Sequence, residues 1–460
     1  MFIQQIYTKC LSQASYYLES NGEVAIVDPM RDVDTYINLA KERNALIKFV
    51  FETHFHADFI SGHLDLMRKT NAVIVFGPEA KPKYHAFIAN HHEIFRLGTC
   101  ALKLIHTPGH TIESSCILLF NEDDKPTHIF TGDTLFIGDV GRPDLLSGNL
   151  SKEVLAEKLY HSIQEEILSL SDEIIIYPGH GAGSACGKIT SSENVSTIGV
   201  QRKTNLALQA PTKEAFIRYV TTDQPFSPPY FYKDAYINTQ GYEALDVILK
   251  RSLRPLDSDL FINEMVKGVM IIDCRNHNDF SDQHIPGSIN IGLDGEFAFW
   301  AGVLIPFNCK LLLVCTSGQE KEAITRLARV GYENVLGFFK GNFNDWNFSK
   351  HKLSSIKTTT ISEARRIYYP DKFVLIDVRS YQEVKKEKVM GSINIPLHQI
   401  LDIAEHFDKK ANYVLYCQGG YRSMIACSIL QSMGFRNIIN IKGGINLIKE
   451  TDPEILEVNG

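Results

Sequence analysis

Apolar positions along the chain fall into short β-branched and aromatic runs, separated by stretches in which they recur with a helical period. Over the first 245 residues the runs EVAIVDP, IKFVFET, AVIVFG, ALKLIHT, SSCILLF, THIFTGD and EIIIYPGH predict strands. Between them, DVDTYINLAKERN and SKEVLAEKLYHSIQEEILSL predict helices. This pattern implies a layered α/β domain. The aromatic, Pro-rich segment DQPFSPPYFYKDAY is expected to close that domain, because five aromatic rings so close together are a liability in water. A boundary near 245 follows, giving a first domain over 1–245. Beyond it the rhythm changes to strands VMIID, KLLLVC, FVLID and YVLYC alternating with helical stretches EAITRLARVG and SMIACSILQSMG, the signature of parallel sheets.

The second half repeats itself. DCRNHNDFSDQHIPGSINI from Asp273 aligns with DVRSYQEVKKEKVMGSINI from Asp377, and GSINI recurs from Gly287 and Gly391. Downstream, Cys315 matches Cys417, GYENV from Gly331 matches GFRNI from Gly434, and FKG matches IKG. Two copies of one small α/β domain are expected, over 246–352 and 353–460. A chain of 460 residues exceeds what a single core supports, in agreement with three domains in an α/β multidomain protein.

Charge narrows the function classes. Lys and Arg total 47 against 54 Asp and Glu, a net charge of −7, which offers no general attraction for nucleic acid or anionic lipid. The opening MFIQQIYTKCLSQASYYLES has no basic region followed by an apolar one, and no later run approaches the roughly 18 apolar residues of a membrane span. A cytoplasmic protein is expected. Nine Cys without a CxxC pair suggest neither a disulfide framework nor a thiolate zinc site, which leaves individual reactive thiols.

The candidate chemistry sits where strands meet loops. His54, His56 and Asp58 follow IKFVF in ETHFHADF; His110 lies in HTPGHT, Asp133 in FTGDT and His180 in YPGHG. Loops at strand ends of a rigid sheet can aim side chains from distant positions at one point, so a metal site is predicted. These motifs resemble the metallo-β-lactamase fold superfamily, which implies an αββα sandwich over about the first 240 residues. Phe59 departs from that pattern, standing where dinuclear hydrolases carry a His, and a hydrocarbon cannot bind a second metal. Resemblance to the persulfide dioxygenases implies a single Fe(II) per chain held by His54, His110 and Asp133, a two-His-one-carboxylate set with open faces. His56, Asp58 and His180 would then orient ligands and hold water. IGDVGRPDLL resembles the segment those dioxygenases carry after the Asp ligand; Arg142 and Asp144 either shape the entrance or form a buried ion pair. Cys186, in GHGAGSACGK near His180, is a candidate sulfur relay and equally a small buried thiol.

Cys417 opens CQGGYRS ahead of a helical stretch. Backbone N–H groups of such a Gly-rich loop and the helix N-terminus favour an anionic sulfur, and Arg422 adds positive charge for an anionic acceptor such as sulfite. With DVR, GSINIP and KGG, this resembles the rhodanese sulfurtransferases over about 355–450. The middle copy reads CTSGQEK, with Cys315 kept but Glu320 in place of Arg422, so a carboxylate would repel anions there. A degenerate, scaffolding rhodanese is expected.

Taken along its whole length, the chain resembles bacterial persulfide dioxygenase and rhodanese fusions of the CstB type. The resemblance implies oxidation of a small thiol persulfide by O2 to sulfite, with thiosulfate made at Cys417. It leaves open which thiol carries the persulfide and whether the chain is a homo-oligomer. Two rivals remain. A zinc thioesterase of the glyoxalase II kind would use the same ligands to make a metal hydroxide; a non-catalytic persulfide carrier or sensor would use Cys417 alone.

Overall fold

The computed structural model describes the chain apart from residues 146–149, 189–192, 342, 344–345, 347–351, 369–372 and 459–460. Two compact units result, one of Met1–Ile248 with the short segment Leu327–Gly331, the other of Leu249–Arg326 and Tyr332–Gly460.

In the first unit, strands Phe2–Thr8, Gln13–Ser20, Glu23–Val27, Leu46–Phe51, Val73–Phe76 and Phe87–Ile88 form one sheet in sequence order. A second six-stranded sheet runs Ser196–Thr197, Ile175–Pro178, Pro126–Gly132, Ser115–Phe120, Cys100–His106, Ile94–Leu97. Successive side chains of a strand point to opposite faces, so these runs fill two layers at once. Val27, Phe51 and Leu119 meet between the sheets, with Leu18, Leu102 and Phe130. Their neighbours Ile26 and Val50 pack outward with Tyr36 and Ala40 of helix Asp34–Glu42, and Leu118 packs outward with Leu159 and Phe216 of helices Lys152–His161 and Lys213–Thr221. The layers are therefore helix, sheet, sheet, helix. Phe51 is wholly buried in the middle layer, and truncation to Ala would cost about 3–5 kcal/mol.

Double-sided burial explains why the strands read as unbroken apolar runs. The hairpin Phe2–Thr8/Gln13–Ser20 escaped that reading because Gln4 and Gln5 interrupt the first strand. The helix predicted over SKEVLAEKLYHSIQEEILSL ends at His161 and continues as a π-helical turn, Ser162–Ile167. In the aromatic closing segment Tyr230 and Phe231 are buried, whereas Tyr232 and Tyr236 on helix Phe231–Gln240 are exposed.

The second unit holds two five-stranded parallel sheets of matching order: Pro255–Leu256, Val335–Phe339, Leu311–Val314, Met270–Asp273, Ile289–Asn290, and Lys357–Thr359, Ile438–Ile441, Tyr413–Tyr416, Val374–Asp377, Ile393–Asn394. Cys315 and Cys417 each follow the central strand of their sheet. Among the described residues no helix is long and apolar enough to cross a membrane.

Candidate metal centre and thiol loops

Parallel pairing sets the first site. Leu46–Phe51 runs parallel to both its neighbours, and Pro126–Gly132 parallel to Ile175–Pro178, so their C-terminal loops can carry His54, Asp133 and His180 to one end of the sandwich. The loop after Phe51 is pinned from outside. Asn238 donates to the carbonyls of His56 and Phe59, both at 2.8 Å, and accepts the Ser61 N–H at 3.0 Å; Glu113 accepts the Phe55 N–H at 3.1 Å.

Donor atoms of His54, His110 and Asp133 lie within 4.8 Å of one another, and all three residues are buried. Nε2 of His110 stands 3.5 Å, and Nε2 of His54 4.0 Å, from Asp133 Oδ2. Among the described residues that oxygen has no hydrogen-bond partner. The hydrogen bonds dictate both tautomers. His110 Nδ1 lies 2.8 Å from the Arg142 carbonyl, which can only accept, so Nδ1 carries the proton and Nε2 is bare. Thr53 Oγ1 donates its one proton to Asp28 Oδ2 at 2.8 Å, and must accept from His54 Nδ1 at 3.0 Å, which again leaves Nε2 bare. Burial, and His56 after it, hold His54 well below the usual histidine range and so neutral. For Asp133, burial alone would favour the acid; His180, His54 and His110 outweigh it and hold the carboxyl well below the ordinary range. An unpartnered carboxylate oxygen facing two imidazole lone pairs in a dry site is destabilising on its own and fits a cation.

His180 is pinned between two carboxylates, Nδ1 at 2.9 Å from Asp133 Oδ1 and Nε2 at 2.7 Å from Asp58 Oδ2. Burial opposes its charge, but Asp133 and Asp58 prevail and raise its pKa well above normal. The bond to Asp133 Oδ1 fixes that carboxylate's orientation. The close approach requires Gly179: a Cβ there would lie 2.6 Å from Asp133 Oδ1. His56 turns away from the three donors, with Nε2 3.1 Å from Asp28 and 3.6 Å from Glu52. Burial lowers its pKa, and those carboxylates reverse this and push it up to about 9. The Phe59 ring is wholly buried against it, centroids 4.4 Å apart. Cys186 is buried with its sulfur near Asp58 and His180, and burial and then those carboxylates Asp58 and Asp133 push its thiol well up. Arg142 grips Asp144 through two bonds, 2.8 and 2.7 Å, and donates to Ala185 O at 3.1 Å, so this is the ion pair of the two readings; Leu146 lies outside the described residues.

A separate cluster joins His91 and His92 to Glu166, at 3.4 and 3.0 Å. His91 Nδ1 accepts the His106 N–H at 3.0 Å, so its Nε2 carries the proton and donates rather than binding a metal.

In the last copy, the Gly420 N–H donates to Cys417 Sγ at 3.1 Å and the Ser423 hydroxyl approaches it at 3.5 Å. Gly420 makes this possible with φ +102°, turning the chain into helix Tyr421–Ser432. Arg422 is committed elsewhere: its two terminal nitrogens bind Glu383 at 2.8 and 2.6 Å. In the middle copy Gly318 is the counterpart of Gly420, and its N–H donates to Glu320 Oε2 at 2.9 Å.

Sequence reasoning missed Asp28, Thr53, Glu113 and Asn238. An acid ahead of a Pro at a strand end, VDP, is the one sequence signal that marks Asp28.

Comparison with known proteins places this geometry. The model for the metallo-beta-lactamase superfamily matches residues 8–180, and that for the rhodanese-like domain matches 259–349 and 360–451. A crystal structure titled metallo-beta-lactamase, from Staphylococcus aureus, is 34% identical with TM-score 0.65, covering 73% of this chain and 98% of that one. The chain belongs to the metallo-beta-lactamase superfamily. Unlike a member consisting of that domain alone, this superfamily chain carries two rhodanese-like domains after it. A probable hydroxyacylglutathione hydrolase of Schizosaccharomyces pombe is 27% identical over 36% of this chain, which spans 62% of that relative's length. The crystal structure of ETHE1 from Myxococcus xanthus is 26% identical with TM-score 0.45, covering 52% of this chain and 98% of that one. An αββα metallo-beta-lactamase domain followed by two rhodanese-like domains makes the chain a metal-site enzyme of this superfamily.

Proposed function

We propose that the chain is an Fe(II) persulfide dioxygenase whose sulfite product is turned into thiosulfate at Cys417. The observation that carries this reading is the hole itself: two bare imidazole nitrogens and one orphaned carboxylate oxygen, a two-His-one-carboxylate set that suits a single Fe(II). His54, His110 and Asp133 would hold the iron, which supplies a binding point for both O2 and the persulfide sulfur when present. The overall change is RSSH, O2 and water to RSH, sulfite and two protons, with four electrons passing from the outer sulfur to one O2. The chain's own residues do the rest. Thr53 with Asp28, and the Arg142 carbonyl, hold the two rings in the ligating tautomer. His180 clamps Asp133 so that a single oxygen faces the rings. Burial keeps bulk water from the site.

At Cys417, sulfite would attack the outer sulfur of the Cys417 persulfide anion with its sulfur lone pair. The old S–S bond breaks with its pair left on Cys417, and thiosulfate departs; atoms and charge balance without a proton. The Gly420 N–H supports the sulfur that receives the pair.

The hydroxyacylglutathione hydrolase names of curated relatives favour a second reading, a zinc thioesterase acting through a metal hydroxide. Phe59 and the two rhodanese-like domains weigh against it. Metal analysis with oxygen uptake separates the two: the dioxygenase reading expects one iron per chain, persulfide-dependent O2 consumption, and loss of both in His110→Ala. Two zinc ions with thioester hydrolysis and no oxygen uptake would overturn it. A carrier or sensor would consume no oxygen with any persulfide.

A further inference from the structure

Arg422 is the cation expected beside Cys417, yet its guanidinium makes two bonds to Glu383, and Glu296 acts on the same charge. An acceptor anion there meets a charge already offset by carboxylates, so a further donor would strengthen its hold. One stands opposite, on the middle domain. His277 opens helix His277–Asp282, and its Nε2 would lie 3.4 Å from a Cβ placed on Gly420, the residue whose N–H holds Cys417 Sγ. Among the described residues its buried Nδ1 has no hydrogen-bond partner. The same domain fixes this approach: Tyr421, next to Gly420, donates its hydroxyl to the Gly292 carbonyl at 2.9 Å, and a Cβ on Gly295 would lie 2.5 Å from its ring. Further along the same helix, Ser428 Oγ accepts the Asn290 N–H at 3.0 Å.

With Nδ1 enclosed by protein, Nε2 is the edge of this imidazole that faces the sulfur-holding loop and that a ligand there can meet. We infer that His277 of the middle domain binds the oxyanion acceptor, sulfite, beside the persulfide of Cys417. The middle copy is then one wall of the sulfur-transfer site, and its loss of loop chemistry at Cys315 leaves a donor that the last copy does not supply. At the position equivalent to His277 the last copy has Tyr381, which donates to Gln399 at 2.9 Å.

The inference rests on the reading of Cys417 above, and the test keeps the two apart. Full-length protein under argon, where the chain makes no sulfite of its own, is given glutathione persulfide and titrated with sulfite while thiosulfate is measured. His277→Ala should raise the KM for sulfite about ten-fold, the scale of one charge-assisted hydrogen bond, with kcat within two-fold. His277→Gln, which retains a donor, should restore most of the KM. Persulfide loading of Cys417 without sulfite, followed by mass spectrometry, should be unchanged in both. An unchanged KM in His277→Ala, or loading and kcat falling together in both variants, overturns the assignment. Thiosulfate formation persisting in Cys417→Ser would take down the reading of Cys417 and this inference with it.

Discussion

In both C-terminal copies an aspartate at the end of a strand grips an arginine two residues on, Asp273 with Arg275 and Asp377 with Arg379, through paired bonds of 2.6–3.2 Å. In both, an asparagine joins the carbonyls on either side of that pair, Asn290 to Asp273 and Arg275, Asn394 to Asp377 and Arg379. The scaffolds match bond for bond, and the thiol loops do not. One glycine amide serves sulfur in the last copy and a carboxylate in the middle copy. Glu320 also leaves no counterpart to the Arg422–Glu383 pair, since the residues matching that pair, Glu320 and Asp279, are both acids. A loop's amide can thus be redirected by one side chain while the framework that shapes it persists.

The largest effect should come from removing each thiol in turn. Cys417→Ser is expected to cut thiosulfate formation about 100-fold or more and let sulfite accumulate, while Cys315→Ser stays within two-fold. A matching loss in Cys315→Ser would erase the contrast. Freeing the contested amide is the next step. Glu320→Ala releases the Gly318 N–H, and alkylation of Cys315 by a neutral reagent should quicken about ten-fold, followed by peptide mass spectrometry. No change would show that the carboxylate is not what separates the loops.

Acid should act on the last copy through Glu383. Burial raises its pKa, and Arg422 outweighs that and lowers it to about 2 from an ordinary 4.5. The folded value is depressed, so the contribution is complete above about pH 4.5 and is lost as pH falls toward 2. Because the carboxylate is partly exposed, its worth is about 1–2 kcal/mol. Hydrogen exchange in helix Tyr421–Ser432, corrected for intrinsic rates, should show that loss across this window and show it flattened in Glu383→Gln. The smallest contrast is an expected equality: Asn290→Ala and Asn394→Ala should each destabilise their own domain by about 1–2 kcal/mol, read from exchange in the adjoining strands. A large difference would mean the shared scaffold is not shared energetically.

Most of the architecture was legible because double-sided strands leave unbroken apolar runs, and because a repeat declares itself by alignment. His54, His110 and Asp133 were legible as candidates together with His56, Asp58 and His180, since all six follow readable strands, but which three donors converge was given only by the resemblance. What supports them was not. Asp28 reaches His54 only through the Thr53 hydroxyl, from a different strand, and Asn238 binds its loop from 182 residues beyond His56. The pairing of Arg422 with Glu383 joins two helices and cancels a charge that spacing alone presents as free. Local pattern records which residues exist at a loop and is silent about which distant group has already claimed them.

Asn238 also bears on how the first domain can be cut. The superfamily match ends at His180, and every donor of the metal hole precedes that point. Yet the loop carrying His54 is sewn to helix Phe231–Gln240 by three bonds to one amide, and the Tyr230 hydroxyl reaches the Asp58 carbonyl from the residue just before that helix. The site is therefore no portable cassette: a fragment stopping at 180, or a graft of those residues into another protein, would carry all three donors and lose the stitching that gives the loop its shape.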